Sequence, residues 1–405
     1  MRILVHDYAG HPYAVQLSRA LAKLHHNVLH VYCASNPMPQ GSLARQTSDP
    51  DTFDVRPIHL GETIQKAKFV KRRAQEIEHA RRAASVVRDF RPDVIISGSA
   101  PLDTQNGLWK VAQEVGCKTV FWLQDLTGFA TEAVLREKLP IVGAPIGKYY
   151  TRMEERLLRQ SSAVVAIADD FVPALEASGV PEDRVFVIEN WGPLGEVALM
   201  PRANDWSKEY GLCETFNFIY SGTLGMKHDP SLLVGLAQSF ADEPSVRVLV
   251  ISEGIGRRWL EEQKATLNLS NLLLLDFQPF GRMPEVLATA DVLVAVLEPA
   301  AGVFSVPSKV LAYLCAARPV LGAIPKENLA ARIVESNHAG LVANPSDPAD
   351  FIQHARRLYE DHEFRKACGA NGRRYAEATF DIERIGKRFE DVFRFCMSTS
   401  TGRRT

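Results

Sequence analysis

The sequence predicts an α/β protein made of two doubly wound, Rossmann-like domains in tandem. Three observations carry this. Short apolar strands alternate with helical patterns along most of the chain, the signature of parallel βαβ units. The alternation lapses over 192–207 into Gly, Pro, Asn and Asp and then restarts. A chain of 405 residues also exceeds what one hydrophobic core usually serves.

In the first half, a strand over 2–6 leads through a loop holding Gly10, His11 and Pro12 into a helix over 13–24, and a second strand follows at 28–32. The loop lacks G-x-G-x-x-G, which weakens a nicotinamide or flavin dinucleotide reading. Residues 37–60 are polar and turn-rich. The helical pattern over 64–90 carries Lys66, Lys68, Lys71, Arg72, Arg73, Arg81, Arg82 and Arg88, either a face for anionic lipid or a solvated surface. Strands at 94–97 and 119–123 flank a helix over 103–115, and the second strand ends in Gln124-Asp125. Parallel sheets place their chemistry at such strand ends, so Asp125 either orients a hydroxyl or caps the next helix. The apolar segment 140–150 suits a membrane interface or the lining of an interdomain cleft. A helix over 151–160, a strand over 163–168, a helix over 171–178 and a strand over 185–188 complete this half.

The second half opens with a strand over 216–220 and a tight glycine loop, Ser221-Gly222-Thr223-Leu224-Gly225, followed by Lys227. Such a loop brings backbone N–H groups close to a ligand, and a lysine beside it neutralises phosphate. Strands at 246–251, 272–277 and 292–297 end near Gly254, near Phe277 and Gln278, and near Glu298; helices over 230–240, 258–267 and 283–289 lie between them. All these ends are expected on one edge of the sheet. There they meet the stretch GVFSVPSKVLAYLCAARPVLGAI, residues 302–324. It reads as a helix start with Pro307 in the first turn and Ser305 and Ser308 as caps, then a buried strand over 320–324. A helix N-terminus attracts phosphate, and Lys309 adds a full charge. Helices over 329–336, 348–361, 365–378 and 382–397, with a strand at 340–342, precede a tail that reads as disordered.

Composition excludes several classes. Hydrophobic residues at 46% and charged residues at 23% describe an ordinary globular protein. Lys plus Arg at 47 against Asp plus Glu at 48 gives a net charge of −1, which argues against nucleic acid as a partner. The six cysteines lie singly, without C-x-x-C, as in a reducing cytoplasm. Neither H-E-x-x-H nor G-x-S-x-G occurs, so zinc-hydrolase and serine-hydrolase chemistry fall away and no metal site is expected. No charged-then-apolar leader opens the sequence and no apolar run approaches about 18 residues, so the expectation is a cytoplasmic protein that does not span the membrane.

Five segments, GHPYAVQLSRALAKLHHNVLHVYC, FWLQD, YSGTLGMKH, FQPFGRMPEVLATADVLV and VPSKVLAYLCAARPVLGAI, resemble in order and spacing the GT-B glycosyltransferases of retaining family 4. The branch they look like is the one that builds bacterial surface polysaccharides such as colanic acid and O-antigen. The resemblance implies two facing domains with an interdomain cleft: an acceptor-binding domain over 1–195, a nucleotide-sugar-binding domain over 196–385, and a segment over 386–405 whose helix returns to the first domain. It implies a nucleotide diphosphate sugar as donor, UDP-sugar favoured, a lipid-linked or oligosaccharide acceptor, no cofactor or metal, and possible peripheral contact with an anionic inner membrane. Gly222, Thr223, Gly254, Lys227, Ser305, Val306, Ser308 and Lys309 would hold the donor diphosphate. The two lysines would offset the charge growing on the leaving group. Phe277 and Gln278 would receive the base through backbone groups. Gly10, His11 and Asp125 would face the reacting sugar and the acceptor.

One departure stands out. Many family members carry two glutamates at the positions held here by Phe304 and Ala312, and neither residue can accept a hydrogen bond through its side chain. Glu298 lies near enough in sequence to substitute. Two other functions stay open: an epimerase or hydrolase acting on nucleotide sugars, which lacks an obvious carboxylate pair, and a catalytically silent partner in polysaccharide assembly.

Overall fold

The structure, a computed structural model, describes residues 1–36, 40–65, 68–138, 143–225, 228–299 and 306–399. Two compact units form, one from Met1–Glu189 with the segment from Asp381 onward, the other from Asn190–Phe380.

The first unit is a sheet of β1 (Arg2–Asp7), β2 (Asn27–Cys33), β3 (Phe53–Ile58), β4 (Val94–Gly98), β5 (Lys118–Leu123), β6 (Ala163–Ala166) and β7 (Val185–Val187). They run parallel in the order β3-β2-β1-β4-β5-β6-β7. Strands covered on both faces read as unbroken apolar runs, which is why β4, β5 and β6 were legible. By contrast β3 falls inside the stretch expected to be turns. It is an edge strand whose Pro57 sits opposite Tyr32, a place where a missing N–H costs no ladder bond on the outer side.

Three more expectations need correction. The basic helix begins at Phe69, not 64, and Lys66 lies outside the described residues. The helix expected from 151 begins at Gly143, within the apolar segment, and runs over Gly143–Gln160, and a further helix, Thr127–Lys138, precedes it. The 192–207 stretch ends in a helix, Asp205–Glu209, started by a reciprocal cap in which Asn204 accepts from Ser207 N–H and Ser207 accepts from Asn204 N–H. Fully buried Trp206 anchors it.

Charges on the helix Phe69–Phe90 are largely paired: Lys71 with Glu62, Arg72 with Glu76, Arg73 with Asp103, Arg81 and Arg82 with Glu78, Arg88 with Glu114. Paired cations have less field to offer anionic lipid, which favours the solvated reading of that face. Among the described residues no helix is long and apolar enough to cross a membrane.

Asp381 caps the last helix, Ile382–Ser398, by accepting from the N–H groups of Glu383 and Arg384. Its apolar side buries Phe389 against Trp122 of β5 and sets Phe395 edge-on to Phe186 of β7, so the helix belongs to the first unit. Each fully buried ring contributes roughly 1.5–3 kcal/mol.

The second unit holds β8 (Phe216–Ser221), β9 (Val246–Ile251), β10 (Leu272–Leu275), β11 (Val292–Val296), β12 (Val320–Ala323) and β13 (Gly340–Ala343), parallel in the order β10-β9-β8-β11-β12-β13. Its core packs the faces of β8, β9 and β11 against the helices Ser231–Ser239 and Pro348–Glu360. In each sheet the winding direction reverses once, between β1 and β4 and between β8 and β11. Open α/β sheets bind ligands just beyond the carboxyl ends of the strands at that reversal.

Candidate functional site

Both reversals carry residues that the sequence singles out. In the second unit the glycine loop leaves β8 at Gly222, whose φ of 144° favours glycine. A methyl group there would lie 3.1 Å from Cε and Nζ of Lys309. Lys309 is the second residue of the helix Ser308–Cys315. That helix is stitched to the end of β8 by Tyr313, whose hydroxyl accepts from Ser221 N–H and donates to Ser221 C=O, both at 3.1 Å. The lysine Nζ thus lies 3.8 Å from the centre of the Tyr220 ring and donates to the Tyr220 hydroxyl, which donates in turn to Thr223 C=O. Burial lowers the Lys309 pKa to about 7, and no neighbouring carboxylate offsets that among the described residues. An anion delivered here would restore the charge.

The loops after β8 and β9 are joined. Leu224 N–H donates to Ser252 Oγ, and Gly256 N–H donates to Leu224 C=O. Gly254, at φ 107°, is the exposed residue just before the helix Ile255–Thr266. Phe277 and Gln278 follow β10, and the Gln278 side chain is occupied, accepting from Trp206 Nε1 and donating to Asp276 C=O. Any contact of Gln278 with a base therefore falls to its backbone.

Pro307 occupies the position before the helix rather than its first turn, and the exposed Ser308 is the first helical residue, with no side-chain cap recorded. Val306 is half-buried just ahead of them. Lys227, Ser305 and Phe304 lie outside the described residues. Ala312, at the second glutamate position, presents only a methyl group. Glu298 lies beyond β11, where burial and the charge of Asp229 raise its pKa.

In the first unit, β1 ends in Asp7, and the loop to the helix Pro12–Lys23 turns at Gly10, φ 76°. A methyl on Gly10 would meet Leu43 Cδ1 at 2.9 Å. His11 precedes the helix. Its N–H donates to Asp7 Oδ2, and its Nδ1 lies 3.0 Å from Asp7 Oδ1. Its ring stacks on Tyr13, whose hydroxyl bonds Ser99 after β4 at 2.6 Å. Gly10 and His11 therefore stand at the β1–β4 reversal. Burial would lower the His11 pKa, but the charge and hydrogen bond of Asp7, with the charge of Asp125, outweigh it and raise the value.

Asp125 is half-buried after β5, and its C=O accepts from Thr127 N–H at 2.9 Å. Glu154 accepts from Gly128 N–H at 3.0 Å in the first turn of the helix Thr127–Lys138, and burial lifts its pKa to about 7. Asp7, Tyr220 and Glu154 are the residues that sequence reasoning missed. A carboxylate four residues before His11 was the one local signal. Among the described residues no cluster of three or more His, Cys, Asp or Glu is placed to hold a metal ion.

Residues 9–191 match the model of the glycosyl transferase 4-like domain, and residues 216–361 match that of the glycosyl transferases group 1. No curated protein matches the chain in sequence. Among solved structures, HepE of Anabaena in complex with UDP-glucose is similar at 16% identity and a TM-score of 0.69, over 97% of this chain and 99% of that one. The sucrose-phosphate synthase of Thermosynechococcus elongatus gives 16% and 0.70, over 99% and 100%. WaaG, a glycosyltransferase involved in lipopolysaccharide biosynthesis, gives 14% and 0.68, over 96% and 99%. At these identities the likeness shows the fold.

Proposed function

Because the chain belongs to the glycosyltransferases of two-domain GT-B fold and so moves a sugar from a nucleotide sugar, we propose the following assignment. The donor is a nucleotide diphosphate sugar, UDP-sugar favoured. The acceptor is a hydroxyl of a lipid-linked saccharide in bacterial surface-polysaccharide synthesis. Transfer proceeds with retention and without a metal.

The observation that carries this is Lys309, a lysine held half-buried against Tyr220 and Gly222 at the β8–β11 reversal with no carboxylate among the described residues to neutralise it. Such a group suits a diphosphate whose negative charge grows as the glycosidic bond breaks. Gly222, Thr223 and Gly254 supply close backbone approach, the helix start at Val306 and Ser308 supplies partial positive charge, and Lys227 and Ser305 complete the cradle. Phe277 and Gln278 receive the base. In the first unit, Gly10, His11 and Asp125 receive the acceptor. HepE is recorded in complex with UDP, and with UDP and glucose, which supports the UDP preference. Exposed Phe69, Val70 and Tyr149 support contact of a lipid-linked acceptor's carrier with the inner membrane.

The test is sugar release and transfer over a panel of UDP-, GDP- and dTDP-sugars, with Lys309→Ala beside the wild type. Turnover of one donor, lost on substitution, is expected. Failure of all donors to bind, with no effect of the substitution, overturns the assignment. The epimerase and hydrolase readings predict a new epimer or free sugar from donor alone, and the silent-partner reading predicts binding without turnover.

A further inference from the structure

The helix Asp205–Glu209 is too short to be stable by itself, yet it grips the segment that follows β10 at several points. Asn204 Nδ2 donates to Glu285 C=O at 3.0 Å and to Thr289 Oγ1 at 3.1 Å. Glu209 Oε2 accepts from the Arg282 guanidinium at 2.6 Å. Between these, Trp206 is fully buried with its ring 4.7 Å from that of Tyr210, and its Nε1–H donates to Gln278 Oε1 at 2.9 Å.

An indole N–H can only donate, so it fixes which way the Gln278 amide faces, with Oε1 toward Trp206 and Nε2 away. Nε2 donates back to Asp276 C=O at 3.0 Å. The side chain of residue 278 thus closes a ring onto the backbone of residue 276, and Phe277 is enclosed between them. On the other side Arg257 donates to Ser252 C=O, to Leu274 C=O and to Asp276 Oδ1. The backbone N–H and C=O groups of Phe277 and Gln278 make no hydrogen bond to a described residue. They are held in place and left open.

We propose that Trp206 is a positioning residue for nucleobase recognition, which acts through the Gln278 side chain to hold the backbone of 276–278 in the shape that receives the base. The idea rests on the donor reading, in which Phe277 and Gln278 meet the base. A peptide edge that is already fixed binds without the ordering cost that a free loop adds. Trp206 itself is buried, so its effect runs through the glutamine. An effect confined to the base leaves the diphosphate at Gly222, Thr223 and Lys309 untouched.

A competing role for Trp206 is as a core anchor only, which would support the whole unit. Two variants separate the roles. Trp206→Phe keeps an aromatic ring in the core and deletes the N–H. Gln278→Met keeps the length of the side chain and deletes both of its hydrogen bonds without emptying the core, so the test survives a Trp206→Phe protein that fails to fold. The experiment uses full-length protein and two probes, UDP and inorganic pyrophosphate, which has no base. Calorimetric titration gives the UDP affinity, and displacement of UDP gives that of pyrophosphate. In each variant the Kd for UDP rises about tenfold, the cost of ordering one backbone residue, while the Kd for pyrophosphate stays within about twofold. In the double variant the loss equals that of either single one, because both delete the same bond. Nuclear magnetic resonance of the indole N–H groups reports the bond itself. The chain has five tryptophans; the indole signal missing from Trp206→Phe is that of Trp206, and it moves in Gln278→Met.

Equal weakening of UDP and pyrophosphate marks a prop for the whole unit and overturns the proposal. So does an unchanged UDP affinity in the variants, a double variant whose losses add, or a Trp206 indole signal that ignores Gln278→Met. A wild type that binds pyrophosphate but neither UDP nor any other nucleoside diphosphate contradicts the donor reading and this role with it, and the indole signal still decides whether Trp206 holds Gln278.

Discussion

Lys309 gives the sharpest prediction, because its setting ties donor binding to a proton. Burial holds its pKa near 7 in the free protein. A diphosphate seated against it restores the ordinary lysine range, near about 10.4. The sign follows directly. Between those values the free protein carries one proton fewer here than the donor-bound protein, so binding takes up a proton and weakens as pH rises. With a free value of about 7, the affinity penalty grows as one plus the ratio of neutral to charged lysine, from about 2 at pH 7 to about 100 at pH 9, a loss of roughly 50-fold. A nucleotide diphosphate sugar has no phosphate group titrating in that window, and its base ionises only at the alkaline end, so the fall near neutrality belongs to the protein. Isothermal titration at several pH values, in buffers of different ionisation enthalpy, reads both the affinity and the proton taken up. Lys309→Met flattens the profile and weakens binding at pH 7 by about 1.5–3 kcal/mol, the worth of a hydrogen bond to a charged group. A wild-type affinity independent of pH with no proton uptake refutes the reasoning.

Gly222→Ala strains a φ of 144° and presses a methyl group to 3.1 Å from Lys309; donor affinity measured by titration falls by about tenfold, and urea denaturation shows a stability loss of about 1 kcal/mol. Burial raises Glu154 to about 7, so its contribution to stability is present below the ordinary carboxylate range and is lost as pH rises through 7. Scanning calorimetry of Glu154→Gln shows a smaller fall in Tm from pH 6 to pH 8.5, with about 1.4 kcal/mol of the wild-type loss removed. Burial holds His6 and His30 near 4. Their neutral forms stabilise the fold above the ordinary histidine range, and that stability is lost as pH falls from about 6.5 to about 4; unfolding free energies from urea titrations at pH 7 and pH 5 differ by about 2 kcal/mol for each ring.

Much of the scaffold was legible because parallel strands covered on both faces are written as short apolar runs. Val246–Ile251 and the helices Met283–Thr289 and Leu329–Ser336 have the bounds their patterns gave. What escaped was structure set by long-range partners. The edge strand β3 holds a proline and alternates with polar residues, so only its pairing with β2 reveals it. The helix Asp205–Glu209 is too short for periodicity and exists because Asn204 and Ser207 cap it and Trp206 is buried. The placement of Gly222, Phe277, Gln278 and Lys309 at one sheet edge followed from topology alone, since every strand end of a parallel sheet points the same way. The partners that tune them did not. Tyr220 reads in the sequence as a core aromatic, and nothing local says that its hydroxyl meets a lysine 89 residues further along. Glu154 reads as one charge on an amphipathic helix, and only the tertiary packing turns it beneath the loop after β5.

The central claim is that the donor's diphosphate sits at the β8–β11 reversal of the second unit. Electron density for crystals grown with a UDP-sugar tests it most directly. The account predicts the diphosphate against Gly222, Thr223 and Lys309 at the start of the helix Ser308–Cys315, with the base beside Phe277 and Gln278. Density for the nucleotide anywhere else, with Lys309 still lying against Tyr220 as it does in the free protein, would contradict it.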